Sequence, residues 1–251
     1  MMMTPWVLRL IIANVAVYLI AMSSPALLNA FVLVPAFALT RPWTVVTYMF
    51  IHGGFGHLFF NMLGLYFFGP RLEHRLGGRH FLALYFLSGI MGAVLSFFFS
   101  PYHPIVGASG GIFGVFLAFA RYWPREKIYV YGILPIEARL FVLIMTALSI
   151  FFGLSGKGGG VAHFAHLGGF LGGFLYLRWM EWSSPAARFK RKADSPAVRA
   201  GDAERWSTIN REDLHPVNRE ELDRVLAKLK ERGPGSLSSD ERAFLNRFSA
   251  E

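Results

Sequence analysis

A serine and several histidines of this chain lie inside apolar stretches, where polar side chains are costly. Ser109 belongs to the run Gly107-Ala-Ser-Gly-Gly-Ile-Phe-Gly114, which opens an apolar segment. His163 and His166 open another apolar segment, which is rich in glycine. A serine hydroxyl becomes nucleophilic when a base takes its proton, and histidine is the usual base. These residues therefore predict covalent catalysis by an activated serine.

The oxyanion of a tetrahedral intermediate needs hydrogen-bond donors, and two sources are available. Ser109 lies near a predicted helix N-terminus, where backbone N–H groups are unpaired and the helix dipole is positive. His57 and Asn61 are four residues apart, so they share one helix face and could both donate from their side chains. His52 lies about 140° around a helix from His57 and shares that face less well.

The composition is that of a membrane protein with a polar tail. The chain has 251 residues, 54% of them hydrophobic and 16% charged, whereas a soluble domain carries roughly 25% charged residues. Most charges lie towards the C-terminus, which predicts a membrane domain followed by a cytosolic tail. The net charge of +9 is better explained by membrane orientation and anionic lipid than by nucleic acid. Without cysteine, a disulfide framework and a thiolate metal site are excluded.

Six stretches are long and apolar enough to cross a bilayer, which takes about 20 residues. They lie near residues 6–23, 46–69, 80–100, 107–122, 135–153 and 161–180. The fold class expected is therefore all-α, a polytopic bundle of six transmembrane helices. Residues 24–44 are apolar but contain three prolines, so we expect a loop in the membrane interface, with Trp43 at headgroup depth.

Basic residues alternate between the two ends of these stretches and so predict the orientation. One side carries Arg71, Arg75, Arg79, Arg121, Arg125, Lys127, Arg139, Arg178, Arg188, Lys190, Arg191 and Lys192, and the other carries Arg41 and Lys157. Positive residues favour the cytoplasmic side, so both termini are expected in the cytoplasm. The second, fourth and sixth stretches then begin at the outer face. This places the serine, the histidines and Asn61 at a similar depth.

Glycines at a four-residue spacing predict how the serine and histidine helices could touch. The pairs are Gly110 with Gly114, Gly168 with Gly172, and Gly169 with Gly173. Such small-xxx-small pairs allow helix backbones to approach closely in lipid, which would bring Ser109 to His166. Ordinary membrane packing is the alternative explanation for any single pair.

No acidic residue is expected at the depth of the serine. Glu73, assigned to a cytoplasmic loop, and Glu137 both fall at the opposite side, so a serine–histidine dyad is predicted rather than a triad. His163 remains a competing base one turn before His166. His52, His57, His163 and His166 could in principle form a zinc site, but the metalloprotease signature H-E-x-x-H is absent. A transporter is a further alternative, but it would be expected to show paired repeats, which this sequence does not show.

At these residues the sequence resembles the rhomboid intramembrane serine proteases, over roughly residues 5–180. The matching pieces are His52-x4-His57-x3-Asn61, Gly107-Ala-Ser109-Gly110 and Ala165-His166-x2-Gly169-x3-Gly173. The resemblance implies Ser109 as nucleophile, His166 as general base, and an oxyanion hole formed by His57, Asn61 and the Ser109 amide. It gives supporting roles to His52, Gly107, Gly110, Gly169 and Gly173.

The resemblance also implies substrates and a location. Substrates would be transmembrane segments of single-span membrane proteins, cut near the outer face where the helix unwinds easily. No cofactor or metal is expected, and the partners are such segments and the lipid bilayer rather than nucleic acid. A bacterial source would imply the plasma or inner membrane. A non-catalytic rhomboid-like protein that binds transmembrane segments is the alternative, but such relatives lack the serine or the histidine.

The chain is expected to divide into three parts. Residues 1–182 form the six-helix membrane domain, 183–217 a flexible basic linker, and 218–251 a cytosolic helical hairpin. The hairpin is predicted from apolar residues at helical spacing on both sides of Gly233-Pro-Gly235, with the first helix capped by Asn218. Residues 153–160 hold five glycines and are expected to be either a movable cap over the site or a slack connector.

Overall fold

The computed structural model describes residues 3–130, 132–155, 162–188 and 201–249. The chain divides into two compact units, Met1–Glu181 and Trp182–Glu251. Most of the glycine-rich loop over 153–160, and residues 189–200 of the predicted linker, lie outside the described residues.

The first unit is built mainly from six helices. They are α1 (Pro5–Met22), α4 (Phe55–Leu76), α5 (Gly78–Phe99), α6 (Ser109–Tyr122), α7 (Ala138–Ser155) and α8 (His163–Ser183), with short helices α2 (Pro25–Phe31) and α3 (Thr44–Thr47) between the first two. Pro5 occupies the first turn of α1, where its missing N–H is not needed. The all-α prediction is confirmed at the level of a mostly helical chain.

Three of these helices are long and apolar enough to cross a membrane: α1, α5 and α7. α4 and α8 have comparable lengths of 22 and 21 residues. Polar residues and glycines lower their hydropathy, and α6 is shorter, with 14 residues. The sequence overestimated the length of α6, because the apolar run from 107 to 122 includes the turn that leads into Ser109.

The stretch predicted as one span over 46–69 is not one helix. α3 is followed by a 3₁₀ turn, Tyr48–Phe50, and then by a break before α4 begins at Phe55. Gly53 and Gly54 interrupt the helix because glycine costs about 1 kcal/mol in a helix interior relative to alanine. His52 therefore lies before the helix rather than on it. His57 is the third residue of α4 instead of lying halfway along a span.

Residues 24–44 contain no long helix, as the three prolines predicted. They form α2, a 3₁₀ turn over Pro35–Phe37 and connecting loops. An isolated bridge pairs Leu33 with Ile105, which attaches this segment to the chain just before Ser109. The Trp43 indole, 49% exposed, donates a hydrogen bond to the Ala30 carbonyl oxygen at 2.9 Å.

Two features at the end of the first unit away from Ser109 were missed by the sequence analysis. A hairpin of β1 (Lys127–Val130) and β2 (Leu134–Glu137), paired antiparallel, connects α6 to α7. Glu73 is not in a loop: it lies within α4, 6% exposed, and accepts hydrogen bonds from the Trp6 and Val7 amides at 2.9–3.1 Å. A carboxylate there satisfies amides of the first turn of α1 that have no helical partner.

The second unit contains α9 (Asp202–Ser207), α10 (Pro216–Arg232) and α11 (Ser239–Phe248). Trp206 and Leu214, from the stretch expected to be a linker, pack with Leu222, Val225 and Leu245 in its core. The buried Trp206 side chain contributes apolar surface to this core, which the composition of the stretch does not indicate. The first long helix begins at Pro216, with His215 rather than Asn218 at the N-cap. The second begins with a capping box between Ser238 and Glu241.

Candidate active site

Ser109 and His166 meet in the structure. Ser109 is the first residue of α6, and His166 lies in the first turn of α8. The Ser109 hydroxyl and His166 Nε2 are 2.8 Å apart, a distance typical of a hydrogen bond. The serine is therefore within proton-transfer reach of one imidazole, although 57 residues separate the two in sequence.

Glycines bring α8 against two different helices. A Cβ atom at Gly169 would overlap the Gly110 carbonyl oxygen, and one at Gly173 would lie 2.9 Å from the Gly114 Cα atom. These two glycines therefore face α6, as the small-xxx-small spacing predicted. The neighbouring pair faces α5 instead, since a Cβ at Gly172 would lie 2.9 Å from the Leu87 carbonyl oxygen.

The His166 ring is held by an aromatic side chain rather than by a carboxylate. Phe113 stacks on it with ring centroids 4.1 Å apart and an interplanar angle of 17°. Among the described residues, no carboxylate is hydrogen-bonded to His166. Stacking against a buried ring restricts the imidazole to one plane, which fixes the direction of Nε2 towards the serine.

His57 and Asn61 lie beside the loop that leads into Ser109. The Cε1 and Nε2 atoms of His57 face Gly107, whose φ of +113° favours glycine. His57 Nδ1 accepts a hydrogen bond from the Gly53 amide at 3.5 Å, which leaves Nε2 as the protonated nitrogen in that tautomer. The Asn61 side chain is buried and donates one N–H to the His57 carbonyl oxygen at 2.7 Å.

His52 reaches the same loop from the break before α4. Its Nε2 accepts a hydrogen bond from the Ala108 amide at 3.5 Å, and its Nδ1 lies 3.3 Å from the Phe50 carbonyl oxygen. The His52 and His57 rings are 5.1 Å apart between centroids. His52 therefore contacts the backbone that precedes the serine, and it does so from a loop rather than from the helix face expected.

Residues 39–182 match the family model described as the rhomboid domain, which is more than half of the chain. The chain belongs to the rhomboid family. Rhomboids are membrane-integral, so the apolar helices of the first unit belong to a membrane protein.

Rhomboid relatives with similar sequences are named as proteases. The chain is 35% identical to Rhomboid protease GluP of Bacillus subtilis (strain 168) over 53% of this chain and 25% of the relative. It is 36% identical to Rhomboid-like protease 3 of Toxoplasma gondii over 55% of this chain and 52% of the relative. It is 34% identical to Putative rhomboid protease YdcA of Bacillus subtilis (strain 168) over 53% of this chain and 64% of the relative. The chain thus spans between a quarter and about two thirds of the length of these relatives.

The competing base, His163, lies at the start of α8. Its ring centroid is 6.1 Å from that of His166, and it stacks on Phe152 with centroids 5.5 Å apart. The hydrogen bond of the Ser109 hydroxyl is made with His166. The geometry favours His166 over His163 as the partner of the serine.

The four histidines that could form a zinc site lie in two pairs rather than in one cluster. Across the described residues, no group of three or more histidine, aspartate or glutamate side chains is arranged to hold a metal ion. His52 and His57 lie against the loop before Ser109, while His163 and His166 lie on α8.

Two residues of the site were missed by the sequence analysis. Phe113 could have been found from its spacing, because it follows Ser109 by one helical turn and shares its face. Tyr48 had no such signal. Its carbonyl oxygen accepts from the Gly107 amide at 2.9 Å, and its hydroxyl donates to the Gly89 carbonyl oxygen at 2.8 Å. This buried tyrosine connects α5 to the loop before the serine.

Proposed function

We propose that this rhomboid is an intramembrane serine endopeptidase that acts through a Ser109–His166 dyad. The observation that carries the proposal is the 2.8 Å contact between the Ser109 hydroxyl and His166 Nε2. The protease names of the relatives support the reaction class, and both Ser109 and His166 lie within residues 39–182, which match the rhomboid domain.

The proposed reaction has two steps. His166 Nε2 takes the Ser109 hydroxyl proton while the serine oxygen attacks the scissile carbonyl carbon. The intermediate collapses, the peptide C–N bond breaks, and His166 returns the proton to the leaving amine. A water molecule, deprotonated by the same nitrogen, then hydrolyses the acyl-enzyme ester and regenerates the serine. Phe113 keeps the imidazole in one plane through both transfers.

The oxyanion is proposed to be stabilised by donors at the N-terminus of α6 and by the two side chains of α4. The first helical hydrogen bond runs from the Ile112 amide to the Ala108 carbonyl oxygen. The Ser109 N–H therefore comes before the first amide that is hydrogen-bonded within the helix, and it points out of the helix end. His57 Nε2 faces Gly107, next to this amide. Asn61 can contribute its second N–H, because only one is needed for the bond to the His57 carbonyl oxygen.

We propose six spans with both termini in the cytoplasm; within the described part of the chain, α1, α5 and α7 are long and apolar enough to cross a membrane. The distribution of arginine and lysine favours this orientation. The site then lies near the outer face, about 5–10 Å below the boundary. The second unit is proposed to be a cytosolic tail, and a bacterial source would place the protein in the plasma membrane.

The proposed substrates are transmembrane segments of single-span membrane proteins. A regular helix keeps its carbonyl groups in hydrogen bonds and away from a nucleophile. Cleavage therefore requires a segment that unwinds near the outer face, as helix-breaking residues allow.

The test is fluorophosphonate labelling of the full chain in liposomes, together with cleavage of a single-span test substrate. Ser109→Ala is expected to abolish labelling and to lower cleavage at least about 10³-fold, and His166→Ala is expected to do nearly the same. Ser149→Ala, which removes a buried hydroxyl from α7, is the matched control and should label normally.

Two outcomes would contradict the proposal. Labelling that persists in Ser109→Ala would rule out this nucleophile, and labelling lost in His163→Ala but kept in His166→Ala would reverse the base. A folded wild-type chain that binds the test segment without labelling or cleavage would favour the non-catalytic alternative.

A further inference from the structure

Two guanidinium groups share one indole ring at the C-terminal ends of α4 and α6. The Arg71 Cζ atom is 4.4 Å from the Trp123 ring centroid, and the Arg75 Cζ atom is 5.8 Å from it. Arg75 also lies over the Tyr122 ring at 4.2 Å. We call Arg71, Arg75, Tyr122 and Trp123 the arginine–aromatic cluster. Cation–π contacts orient a guanidinium while leaving its N–H donors at the edge available.

The arginine–aromatic cluster is not neutralised internally. Arg71 forms an ion pair with Glu126 at 3.1 Å, and the adjacent Arg121 forms one with Glu181 at 2.9 Å. Among the described residues, no carboxylate lies within ion-pair distance of Arg75, which is exposed. The cluster thus retains one oriented, exposed cation that is paired with no carboxylate of the described residues.

The cluster lies at the end of the bundle opposite the dyad. Arg75 follows Asn61 by 14 residues along α4, a rise of about 20 Å. Trp123 likewise follows the helix that Ser109 begins. With the proposed orientation this is the inner membrane boundary, where tyrosine and tryptophan are enriched and lipid phosphates lie.

We propose that the arginine–aromatic cluster binds the phosphodiester of an anionic phospholipid in the inner leaflet. Phosphate oxygens would accept hydrogen bonds from Arg75, and the guanidinium fork suits that geometry better than a lysine ammonium does. The half-buried rings would contact the glycerol and the first acyl carbons. A zwitterionic headgroup would bind less well, because its own cation competes for the phosphate. Free phosphate shares the chemistry but lacks the acyl chains.

The proposal rests on the membrane orientation proposed above but not on catalysis, so its test measures binding alone. The full chain in mild detergent is titrated with phosphatidylglycerol or phosphatidylcholine, and bound lipid is counted by native mass spectrometry. We expect preferential binding of phosphatidylglycerol, weakened roughly tenfold in Arg75→Gln, as for one lost charge-assisted hydrogen bond. Arg75→Lys should be intermediate, and it is the second variant if the glutamine variant fails to fold.

The matched control is Arg178→Gln. Arg178 is exposed on α8 about three turns after His166, so this variant removes the same charge without touching the cluster, and it should bind like the wild type. The inactive Ser109→Ala chain should also bind like the wild type, which separates this proposal from the protease proposal.

Three results would overturn the lipid site. The first is equal weakening in Arg75→Gln and Arg178→Gln, which would show a diffuse charge effect. The second is equal binding of the two lipids. The third is protection from thermal unfolding by inorganic phosphate that equals the protection by phosphatidylglycerol at the same concentration, which would indicate an anion site without a lipid.

Discussion

Replacing Gly169 by alanine should separate Ser109 from His166, the two residues of the proposed dyad, without altering either side chain. An added Cβ would overlap the Gly110 carbonyl oxygen and lie 3.0 Å from its carbonyl carbon, whereas ordinary contacts begin at 3.4 Å. Both atoms belong to backbone, so rotamer changes cannot relieve the overlap. α6 and α8 must move apart by about 0.5–1 Å.

The displacement is transmitted to the site because Gly110 is adjacent to Ser109, and Gly169 lies one turn after His166. The 2.8 Å contact between the hydroxyl and Nε2 would open to about 3.3–3.8 Å, beyond the usual hydrogen-bond range. A misplacement of about 1 Å can cost roughly 100-fold in rate, which corresponds to about 2.7 kcal/mol in the activation free energy. We expect a loss of that size in kcat.

The assay compares cleavage of a single-span test substrate by three variants. Gly173→Ala lies farther from the dyad, and its Cβ would be 2.9 Å from the Gly114 Cα atom, so it should lose about tenfold. Gly56→Ala on α4 is the matched control, because nothing lies within 4 Å of its added Cβ. It should stay within about twofold of the wild type.

Thermal unfolding distinguishes misalignment from misfolding. Alanine in a helix is favoured over glycine by about 1 kcal/mol, so the Gly169→Ala chain can remain folded while losing activity. Wild-type kcat in a folded Gly169→Ala chain would refute the argument that this glycine contact sets the distance between Ser109 and His166.

Three further predictions concern other contacts. Phe113→Leu should lower kcat about 3–10-fold with little change in KM, since the stacking on His166 is lost, and Phe113→Tyr should preserve both constants. Glu73→Gln should lower the free energy of unfolding by about 1–3 kcal/mol, because the Trp6 and Val7 amides lose one of their side-chain acceptor oxygens. An unchanged Tm would contradict this. In the second unit, the Lys228 ammonium and then the Ser238 amide lower the pKa of Glu241 from 4.5 to about 2. The ionised Glu241 carboxylate therefore stabilises the second unit fully above about pH 4.5, and this contribution, about 1–2 kcal/mol after screening, is lost as the pH falls towards 2. Hydrogen exchange across α10 and α11, corrected for intrinsic rates, should show lower protection at about pH 2.5 than at pH 6.

Local patterns predicted the parts of the fold that depend on neighbours in sequence. Apolar runs located the long helices, and the prolines of residues 24–44 excluded a straight span there. The break before α4 was missed because hydropathy continues through residues that do not continue the helix. The β1–β2 hairpin and the burial of Trp206 were missed because both depend on pairing with residues that a local window does not contain.

The candidate site could be predicted in its residue types and in the approach of Ser109 to His166, but not in the contacts that surround this pair. The sequence indicated Ser109, His57, Asn61 and His166 because polar side chains are costly inside apolar helices and are usually functional there. The roles of Phe113 and Glu73 became visible only through their partners. No pattern in the sequence indicates which ring stacks on which imidazole.

The sequence by itself determined the helical class, the apolar character of the long helices and the set of polar residues available for chemistry, because these follow from composition and short-range spacing. The tertiary structure decided between His166, which the glycine spacing favoured, and the competing His163, because the Ser109 hydroxyl lies 2.8 Å from His166 Nε2. It also decided that Gly169 faces α6, whereas Gly172 faces α5. The physical reason is that contacts between distant segments depend on how whole helices pack, and helix rotation of a few tens of degrees would exchange these partners without any change in the local pattern.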